Sequence, residues 1–390
     1  MTSNQIVVIN AGSSSIKFAT FDFNTSLTKT MHGSIQNINS APIFKVVDEQ
    51  GNTLTKEEFS ADHDYGYFYE LLLSYFAKSG KKAALIGHRV VHGGMHYNAP
   101  VIVNTPIIQD LKKLIPFAPL HQPYNIQAIE IIQSLHPEIT QVACFDTSFH
   151  RTHPAVADRF ALPREFEAQG VHRYGFHGLS YEYITQKLLE LSPDSGKQRV
   201  IVAHLGNGAS LCAIKDGKSI DSTMGFTALD GLMMGTRCGS LDPGVILYLM
   251  KFKKMDYEEI EKCLYQQSGL LGVSGISNNM QILLEDPSIT AKEAVELFVY
   301  RLYREIGALV SVLGGLDVLV FTGGIGEHAA EVRENVCQHL AWLNVKIDAA
   351  KNLRNQPVLS TADSAIEVRV IPTNEEWIIA NHAYGLYLKQ

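Results

Sequence analysis

The sequence predicts an α/β protein that contains two similar domains with mixed sheets. Two segments, residues 6–21 and 200–214, each consist of an apolar β run, a turn of small residues and a second β run. Apolar runs around a glycine-containing turn indicate a β-hairpin, so the two segments indicate an internal duplication. Helical and β periodicities alternate between them, as in α/β proteins. With 390 residues the chain is long enough for two or three domains, and the repeat places the second domain's start near residue 150.

In the first half, apolar residues at helical spacing predict helices over residues 65–79 and 125–135. Short runs rich in β-forming residues predict strands over residues 84–91 and 141–145. The elements therefore alternate along the chain, as the predicted fold class requires.

In the second half, Thr290 and Glu293 have the spacing of a capping box, which predicts that a long helix begins there and ends near Leu313. Residues 316–322, which are apolar except for Asp317 and Thr322, predict a buried strand. We expect a glycine turn after this strand, followed by a helix over residues 329–340.

Composition excludes several classes of protein. The chain has 33 basic and 40 acidic residues and a formal net charge of −7, which disfavours nucleic-acid binding. Its five cysteines form no C-x-x-C pair and indicate reduced thiols in a cytosolic protein. The first residues lack a signal-peptide pattern, and the most apolar stretch, residues 306–316, is well short of the roughly 20 residues that span a bilayer. We therefore expect a cytoplasmic protein that binds neither nucleic acid nor membrane.

Three glycine-containing turns are candidate phosphate sites: residues 10–17, 206–210 and 323–327. Backbone N–H groups, hydroxyl groups and a lysine in such turns can bind anions. A single copy could equally be a polar hairpin turn, but three copies favour a nucleotide.

The third turn also fits a dinucleotide pattern, which leaves an oxidoreductase open as an alternative. Gly324, Gly326 and Ala329 match G-x-G-x-x-A, and Asp348 lies at the distance of a ribose ligand. Glu327, however, would put a carboxylate where a pyrophosphate should bind. The dinucleotide hypothesis also leaves the other two turns unexplained.

Arg89 and Arg237 stand out because glycines surround them, which would let an anion approach a guanidinium group. A surface salt bridge is the alternative for each. Asp146 and Glu375 are candidate Mg²⁺ ligands, because Mg²⁺ needs only one or two carboxylates beside water and phosphate. Histidine pairs such as His150 with His153 could suggest zinc, but no cysteine or H-E-x-x-H accompanies them, so hydrogen-bonding roles are favoured.

Taken together, these segments resemble the acetate kinase family of carboxylate kinases, within the sugar kinase, Hsp70 and actin superfamily. The resemblance is carried by nine motifs in order along the chain: residues 10–17, 88–94, 119–123, 145–150, 173–178, 204–210, 235–244, 321–327 and 373–376.

The resemblance implies two duplicated ribonuclease H-like (actin-like ATPase) domains with a central cleft. The first would comprise residues 1–150 with a returning segment, about 375–390, and the second, nucleotide-binding domain residues 151–374. It also implies a homodimer and reversible, direct in-line phosphoryl transfer from ATP to acetate. The reaction would require Mg²⁺, which Mn²⁺ could replace, and would give acetyl phosphate and ADP.

The resemblance further implies roles for individual residues. Catalysis would involve Arg89, Asp146, His177, Asn207 and Arg237. The acyl pocket would be lined by Val91, Leu120, Phe176 and Ala228, with Arg89 holding the carboxylate. Asn10 and Glu375 would be the metal-binding residues. Asp146, together with Glu375, would organise the metal, and Lys17 would lie at the phosphate end of the nucleotide. The remaining nucleotide contacts would be His204, Leu205, Gly206, Asn207, Gly208, Asn279, Met280, Gln281, Gly324, Ile325, Gly326, Glu327 and His328.

Two departures from the family pattern bear on specificity. Ala228 stands where the family typically has proline, which leaves more room for the acyl group. Asn279, Met280 and Gln281 stand where the family has aspartate, an apolar residue and arginine, beside the ribose and the base. A propionate kinase therefore stays an alternative, as do an oxidoreductase and an actin-like or Hsp70-like binding protein, although the glycine-flanked arginines argue against the last.

Overall fold

The computed structural model describes residues 3–23, 26–192 and 198–389. The chain forms two compact units, one of Met1–Ser148 with Asn374–Gln390 and the other of Phe149–Thr373. Within the described residues, no helix is long and apolar enough to cross a membrane.

The first unit contains an eight-stranded sheet in the order β5-β4-β3-β2-β1-β6-β8-β7. The strands are β1 (Ser3–Ala11), β2 (Ser15–Asp22), β3 (Thr28–Gln36), β4 (Ile43–Asp48), β5 (Thr53–Glu58), β6 (Lys81–Val90), β7 (Val101–Ile102) and β8 (Thr140–Phe145). Strand β6 is parallel to both β1 and β8, whereas β1 to β5 are joined as antiparallel neighbours. The carboxyl ends of β1, β6 and β8 therefore lie at one edge of the sheet.

Among its described residues, this unit has four α-helices: α1 (Tyr65–Lys78), α2 (Thr105–Lys113), α3 (Gln122–Leu135) and α15 (Glu375–Tyr387), which carries the highest helix number. A 3₁₀ turn spans Ile115–Phe117. Aromatic residues of α1 pack on the sheet, as Phe76 does on Phe18, with ring centroids 5.8 Å apart. Apolar residues of α2 and α3 form a second cluster with the ends of β6 and β8.

The second unit contains a five-stranded sheet in the order β11-β10-β9-β12-β13. Its strands are β9 (Arg199–Leu205), β10 (Ala209–Lys215), β11 (Lys218–Ser222), β12 (Val318–Thr322) and β13 (Glu367–Val370). Strands β9, β10 and β11 are antiparallel neighbours, and β12 is parallel to β9 and β13. The order and sense match those of β3-β2-β1-β6-β8, so the predicted duplication is confirmed.

The helices of the second unit are α4 (Ala155–Asp158), α5 (Arg164–Ala168), α6 (Gly178–Leu191), α7 (Pro243–Phe252), α8 (Tyr257–Gln266), α9 (Gly269–Ser274), α10 (Met280–Glu285), α11 (Ile289–Leu313), α12 (Gly323–His328), α13 (Ala330–His339) and α14 (Ala349–Leu353). Short 3₁₀ turns span Ser148–Thr152 and Ala341–Leu343. Helix α6 packs its apolar face on β9, β10 and β12.

Two sequence predictions about this unit are wrong in detail. Helix α11 is capped by Ser288, whose hydroxyl accepts from the backbone N–H of Ala291, so the Thr290 capping box does not open it. The predicted glycine turn over residues 323–327 is instead the helix α12. Both differences arise from hydrogen bonds that the spacing of residue types did not specify.

Candidate functional site

In the first unit, the carboxyl ends of three parallel strands bring together residues that are far apart in the sequence. Asn10 lies at the end of β1, Arg89 at the end of β6, and Asp146 directly after β8. Arg89 Nε is 3.0 Å from Asp146 Oδ1, and its Nη2 is 2.5 Å from Oδ2. Its Nη1 is 3.5 Å from Asn10 Oδ1. Glu375, in the first turn of α15, has a carboxylate oxygen 3.9 Å from Arg89 Nε. Four of the predicted site residues thus form one cluster.

The two carboxylates of this cluster stabilise the positive charge of Arg89. Burial acts to lower the pKa of Arg89, but the Asp146 and Glu375 carboxylates outweigh it and raise that pKa above its ordinary value. The Asp146 side chain is only 2% exposed, so the pair is not a surface salt bridge. A fixed guanidinium with a paired carboxylate is the arrangement that can hold an anion in one orientation.

Helix α3 fixes the segment that follows Arg89. Asn125 Oδ1 accepts from the Val91 N–H at 3.0 Å, and its Nδ2 donates to the Ala11 carbonyl at 2.8 Å. Gln122 accepts from the His92 N–H and donates to the His92 carbonyl. Sequence analysis gave no role to these two amides, although Gln122 lies within a motif, residues 119–123, that pointed to this region.

The turn after β1 is held by its carbonyl groups. The carbonyl of Gly12 accepts from the Tyr65 hydroxyl at 3.2 Å, and that of Ser13 accepts from Asn39 Nδ2 at 3.0 Å. Lys17, on β2, is exposed and lies opposite Asn10 in the strand register. The structure therefore places Lys17 beside the cluster around Arg89, on the neighbouring strand.

In the second unit, His177 and His204 stack with ring centroids 4.3 Å apart. His177 Nδ1 is 2.8 Å from the Ser210 hydroxyl, and His204 Nδ1 is 2.8 Å from the Ser180 hydroxyl. The Ser180 hydroxyl is in turn 2.8 Å from that of Thr373. The Ser210 and Ser180 hydroxyls, to which the motifs gave no individual role, each fix one ring nitrogen and so orient the other, and Thr373 holds Ser180.

Arg237 and His177 converge on the turn between β9 and β10. A Cβ atom at Gly208 would lie 2.9 Å from Arg237 Nη2 and 3.2 Å from His177 Nε2, so only glycine leaves both groups where they are. Arg237 Nη1 donates to the Ala228 carbonyl at 2.6 Å. Asn207, in the same turn, accepts through its carbonyl from the Gly235 N–H at 3.1 Å. Four predicted residues, Arg237, His177, Asn207 and Gly208, therefore lie together.

The glycines around the two arginines have a different role from the expected one. A Cβ at Gly93 would lie 2.8 Å from the Phe145 ring, and one at Gly235 would lie 2.1 Å from Asn207 Oδ1. These glycines allow close packing of protein atoms, and the expectation that they open a path for an anion has no support at either position.

A groove of about 460 Å³ lies beside the same turn in the second unit. It contains eight predicted nucleotide contacts: Gly206, Asn207, Asn279, Met280, Gln281, Gly324, Ile325 and His328. Asn279 caps α10 by accepting from the Gln281 N–H at 2.9 Å, and Gln281 Nε2 donates to Glu285 Oε1 at 3.1 Å. The side-chain oxygen of Asn279 is therefore already engaged in the helix cap.

The other predicted nucleotide contacts, His204, Leu205, Gly208, Gly326 and Glu327, are not among the residues that line this groove. Glu327 accepts from the backbone N–H groups of Gly323 at 2.8 Å and Thr373 at 3.2 Å, so its carboxylate stabilises α12. Asp348, the ribose ligand of the dinucleotide hypothesis, instead caps α14 by accepting from the Lys351 N–H. The side chain of Asp348 is thus engaged in a helix cap, which counts against its role as the ribose ligand of that hypothesis.

The four predicted acyl-pocket residues are distributed over the two units. In the first, Val91 is buried and Leu120 is half-buried; in the second, Phe176 is buried and Ala228 is half-buried. Among the histidine pairs, His150 and His153 both contact the Ser219 hydroxyl at 2.8 Å, which accords with the hydrogen-bonding role favoured from sequence.

Comparisons with known proteins bear on the family and the fold. A model of the acetokinase family matches residues 5–381. An acetate kinase of Rhodopseudomonas palustris (strain TIE-1) is 50% identical, over 98% of this chain and 98% of that protein. Among solved structures, a propionate kinase from Francisella tularensis has a TM-score of 0.92 at 37% identity, covering 98% of this chain and 99% of that one. An acetate kinase from Porphyromonas gingivalis has a TM-score of 0.90 at 34% identity, covering 99% and 100%. Because the family match spans nearly the whole chain, the chain belongs to the acetokinase family.

Proposed function

We propose that the protein is an acetate kinase, which transfers the terminal phosphoryl group of ATP to acetate and gives acetyl phosphate and ADP reversibly. The observation that carries this proposal is the Arg89 cluster, in which a guanidinium group is fixed by Asp146 at the carboxyl ends of three parallel strands. The 50% identity to a relative named acetate kinase supports the choice of substrate.

Acetate is ionised near neutral pH, so the reaction needs no general base. The difficulty is to bring two anions into line and to offset the charge that spreads over the transferring phosphoryl group. Arg89 binds the carboxylate in this proposal, and Arg237 binds the phosphoryl group. His177 and Asn207 add hydrogen bonds to the phosphoryl oxygens. Direct in-line transfer then requires no covalent enzyme intermediate.

Magnesium fits the donor atoms of the first unit. Asn10, Asp146 and Glu375 offer amide and carboxylate oxygens, the ligand type that Mg²⁺ and Mn²⁺ prefer. Both Asp146 oxygens accept from Arg89, so Glu375 and Asn10 would hold the ion, with Asp146 acting through Arg89. When bound, the ion offsets charge on the phosphate oxygens.

Propionate is the second candidate substrate. Ala228 offers a smaller and less rigid side chain than the proline typical of the family, and a solved structure named as a propionate kinase has the same fold at 37% identity. One additional methylene in an apolar pocket changes discrimination by only about 1–3 kcal/mol.

We further propose that the protein is a cytoplasmic homodimer that associates through α7. None of the ten residues of this helix is buried, although most are apolar, and Leu247 and Phe252 are each 66% exposed. An apolar surface of this kind is typical of an interface. All five cysteines are free thiols, as expected for a reducing compartment. Light scattering should give a dimer for the wild type, and Leu247→Glu should shift it to the monomer.

The test of the main proposal is ATP-dependent formation of acyl hydroxamate with acetate, propionate and butyrate. We expect the highest kcat/KM with acetate, measurable activity with propionate and less with butyrate. Arg89→Lys serves as a matched variant, because it retains the charge but loses the two-pronged contact with Asp146. Failure of all three acids to give hydroxamate would overturn the proposal.

A further inference from the structure

A buried chain of hydrogen bonds in the second unit ends on the backbone next to His177. It begins at Asp158, whose Oδ1 is 3.0 Å from His153 Nδ1. His153 Nε2 is 2.8 Å from the Ser219 hydroxyl, which is 2.8 Å from His150 Nδ1. His150 Nε2 is 2.9 Å from the carbonyl oxygen of Phe176. These hydrogen bonds connect the 3₁₀ turn Ser148–Thr152, helix α4, strand β11 and the residue that precedes His177.

The Phe176 carbonyl, the acceptor at one end, determines where the hydrogens of His150 and Ser219 lie. The Phe176 carbonyl can only accept, so His150 Nε2 carries a hydrogen. Burial lowers the pKa of His150 well below its ordinary value, which keeps this ring neutral and leaves Nδ1 as an acceptor. The Ser219 hydroxyl therefore donates to His150, and its oxygen accepts from His153 Nε2.

Asp158, the acceptor at the other end, determines where the hydrogens of His153 lie. The Asp158 carboxylate, which also accepts from Arg151 Nη1 at 3.3 Å, can only accept from His153 Nδ1. Both nitrogens of His153 thus carry hydrogens, and the ring is a cation. The reverse direction would put the charge on His150, which faces a hydroxyl and a carbonyl, whereas His153 faces a carboxylate.

The other charged groups around His153 are compatible with this charge. Arg151 and His150 come from the same 3₁₀ turn, Asp158 from α4, and Asp221 from β11. Burial raises the pKa of Asp221, whereas the charges of Arg173 and His153 oppose that shift. The sulfhydryl of Cys212 lies 3.1 Å from Ser219 Oγ and remains a thiol, because burial raises its pKa.

These hydrogen bonds end at a strained stretch of backbone around residues 173–177. His177 has a left-handed φ of 58°, which is uncommon for a residue other than glycine. Gly175 has a φ of +73°, and a Cβ there would lie 2.5 Å from the His150 ring. Arg151 Nη2 donates to the carbonyls of Arg173 and Tyr174 at 3.2 and 2.9 Å. His150 and Arg151 together therefore hold residues 173–176 in place.

We propose that His153 is a positioning residue, whose ring donates to Asp158 at one end and to Ser219 at the other, and which thereby holds His150 and fixes the backbone that presents His177 to the phosphoryl group. This inference rests on the proposed function, because it gives His177 its role. Although Asp158, His153 and Ser219 have the order of a hydrolase triad, Ser219 is completely buried and its hydroxyl donates to His150, so no nucleophile is exposed.

The protonation state can be tested without any measurement of activity. In protein labelled with ¹⁵N-histidine, long-range ¹H–¹⁵N spectra distinguish ring nitrogens that carry hydrogen from those that do not. The signal of His153 is identified by its loss in His153→Gln, and we expect it to show hydrogen on both ring nitrogens. Asp158→Asn should abolish this signature. If the wild-type signal shows hydrogen on only one ring nitrogen, the proposal is wrong.

The positioning role is tested by Ser219→Ala, with Thr152→Val as the control. The Thr152 hydroxyl donates to the Ser219 carbonyl at 2.8 Å, so the control removes a neighbouring hydrogen bond outside the chain. Because a displacement of about 1 Å can cost about 10²-fold, we expect Ser219→Ala to lower kcat tenfold or more, with each KM within about twofold of wild type. Thr152→Val should leave kcat unchanged.

An unchanged kcat in Ser219→Ala, or equal losses in the two variants, would overturn the positioning role. If Ser219→Ala does not fold, His153→Gln provides the same test, because glutamine cannot donate at both ends of the chain. A wild-type protein without carboxylate kinase activity would instead contradict the proposed function, which the NMR measurement does not depend on.

Discussion

The pair of Arg89 and Asp146 makes a quantitative prediction about stability. Arg89→Ala removes the two-pronged partner of a carboxylate that is 2% exposed. Removing one member of a buried ion pair costs about 3–5 kcal/mol; because the Arg89 side chain is 20% exposed, we expect about 2–3 kcal/mol for the free energy of unfolding. The double variant Arg89→Ala, Asp146→Ala removes both charges. Its loss should therefore be smaller than the sum of the single losses by about 1–2 kcal/mol.

The matched control is the exposed pair of Lys29 and Glu376, which joins β3 to α15 in the same unit at 2.6 Å. Its side chains are 32% and 37% exposed, so the corresponding double-mutant cycle should give a coupling below about 1 kcal/mol. The contrast separates a pair held at the site from an ordinary surface contact.

Urea unfolding of the first unit can be followed by the fluorescence of Trp377. The chain has two tryptophans, and Trp342, in the second unit, is 65% exposed, so Trp342→Phe gives a suitable background. Each variant is also assayed with acetate and ATP at saturation. Arg89→Ala should lose about 10²-fold or more in kcat, about 2.7 kcal/mol of transition-state stabilisation. Equal couplings in the two cycles, or near-normal turnover in Arg89→Ala, would refute this account.

Three further predictions concern substrates and pH. Propionate should be used within about tenfold to a hundredfold of acetate in kcat/KM, and Ala228→Pro should widen that gap; a propionate rate at background, unaffected by the substitution, would contradict this. Gln281 is an exposed neutral amide at the groove that we propose for the nucleotide, so kcat/KM for ATP and GTP should differ by less than about tenfold, and Gln281→Arg should increase the preference for ATP. A strong ATP preference that the substitution leaves unchanged would count against this prediction. Burial lowers the pKa of His88 to about 4, so between pH 6.5 and 4 the unfolded chain binds a proton that the folded chain does not. Through His88 alone, the free energy of unfolding should therefore fall by about 1.4 kcal/mol for each pH unit between 6.5 and 4, and His88→Gln should remove that part of the pH dependence of the urea midpoint.

The β-hairpins and buried strands could be predicted because their signals are local. Residues 318–321 are all apolar, and the strand predicted over residues 316–322 corresponds to β12, Val318–Thr322. Helix α12 could not be predicted, because three of its six residues are glycine, a poor helix former. Its stability comes from distant groups: Arg333 Nη1 donates to the Gly326 carbonyl at 2.9 Å, and Glu327 links its N-terminus to Thr373.

Which residues form the candidate site could be read from motifs, but not how they are paired. Arg89 and Asp146 are 57 positions apart, and only the parallel register of β6 and β8 brings them together. The chain from Asp158 to His150 was beyond sequence analysis for a further reason. It depends on Ser219, an ordinary residue in a polar hairpin, and on the direction in which each proton points.

The hairpin turns of the two duplicated sheets differ, and this difference provides a last test. The first turn, after β1, carries serines and is held through its carbonyls, whereas the second contains Gly206 and Gly208, with Arg237 and His177 against it. Gly208→Ala would put a Cβ 2.9 Å from Arg237 Nη2, the flexible end of a long side chain, so the arginine should move while the fold is retained. The nearest atom to a Cβ at Gly307, in helix α11 of the same unit, is by contrast 4.0 Å away, which makes Gly307→Ala the matched control. We expect kcat to fall about tenfold or more in Gly208→Ala, with little change in stability, and to stay within about twofold in the control. Equal kcat values in the two variants would show that the position of Arg237 does not limit the reaction.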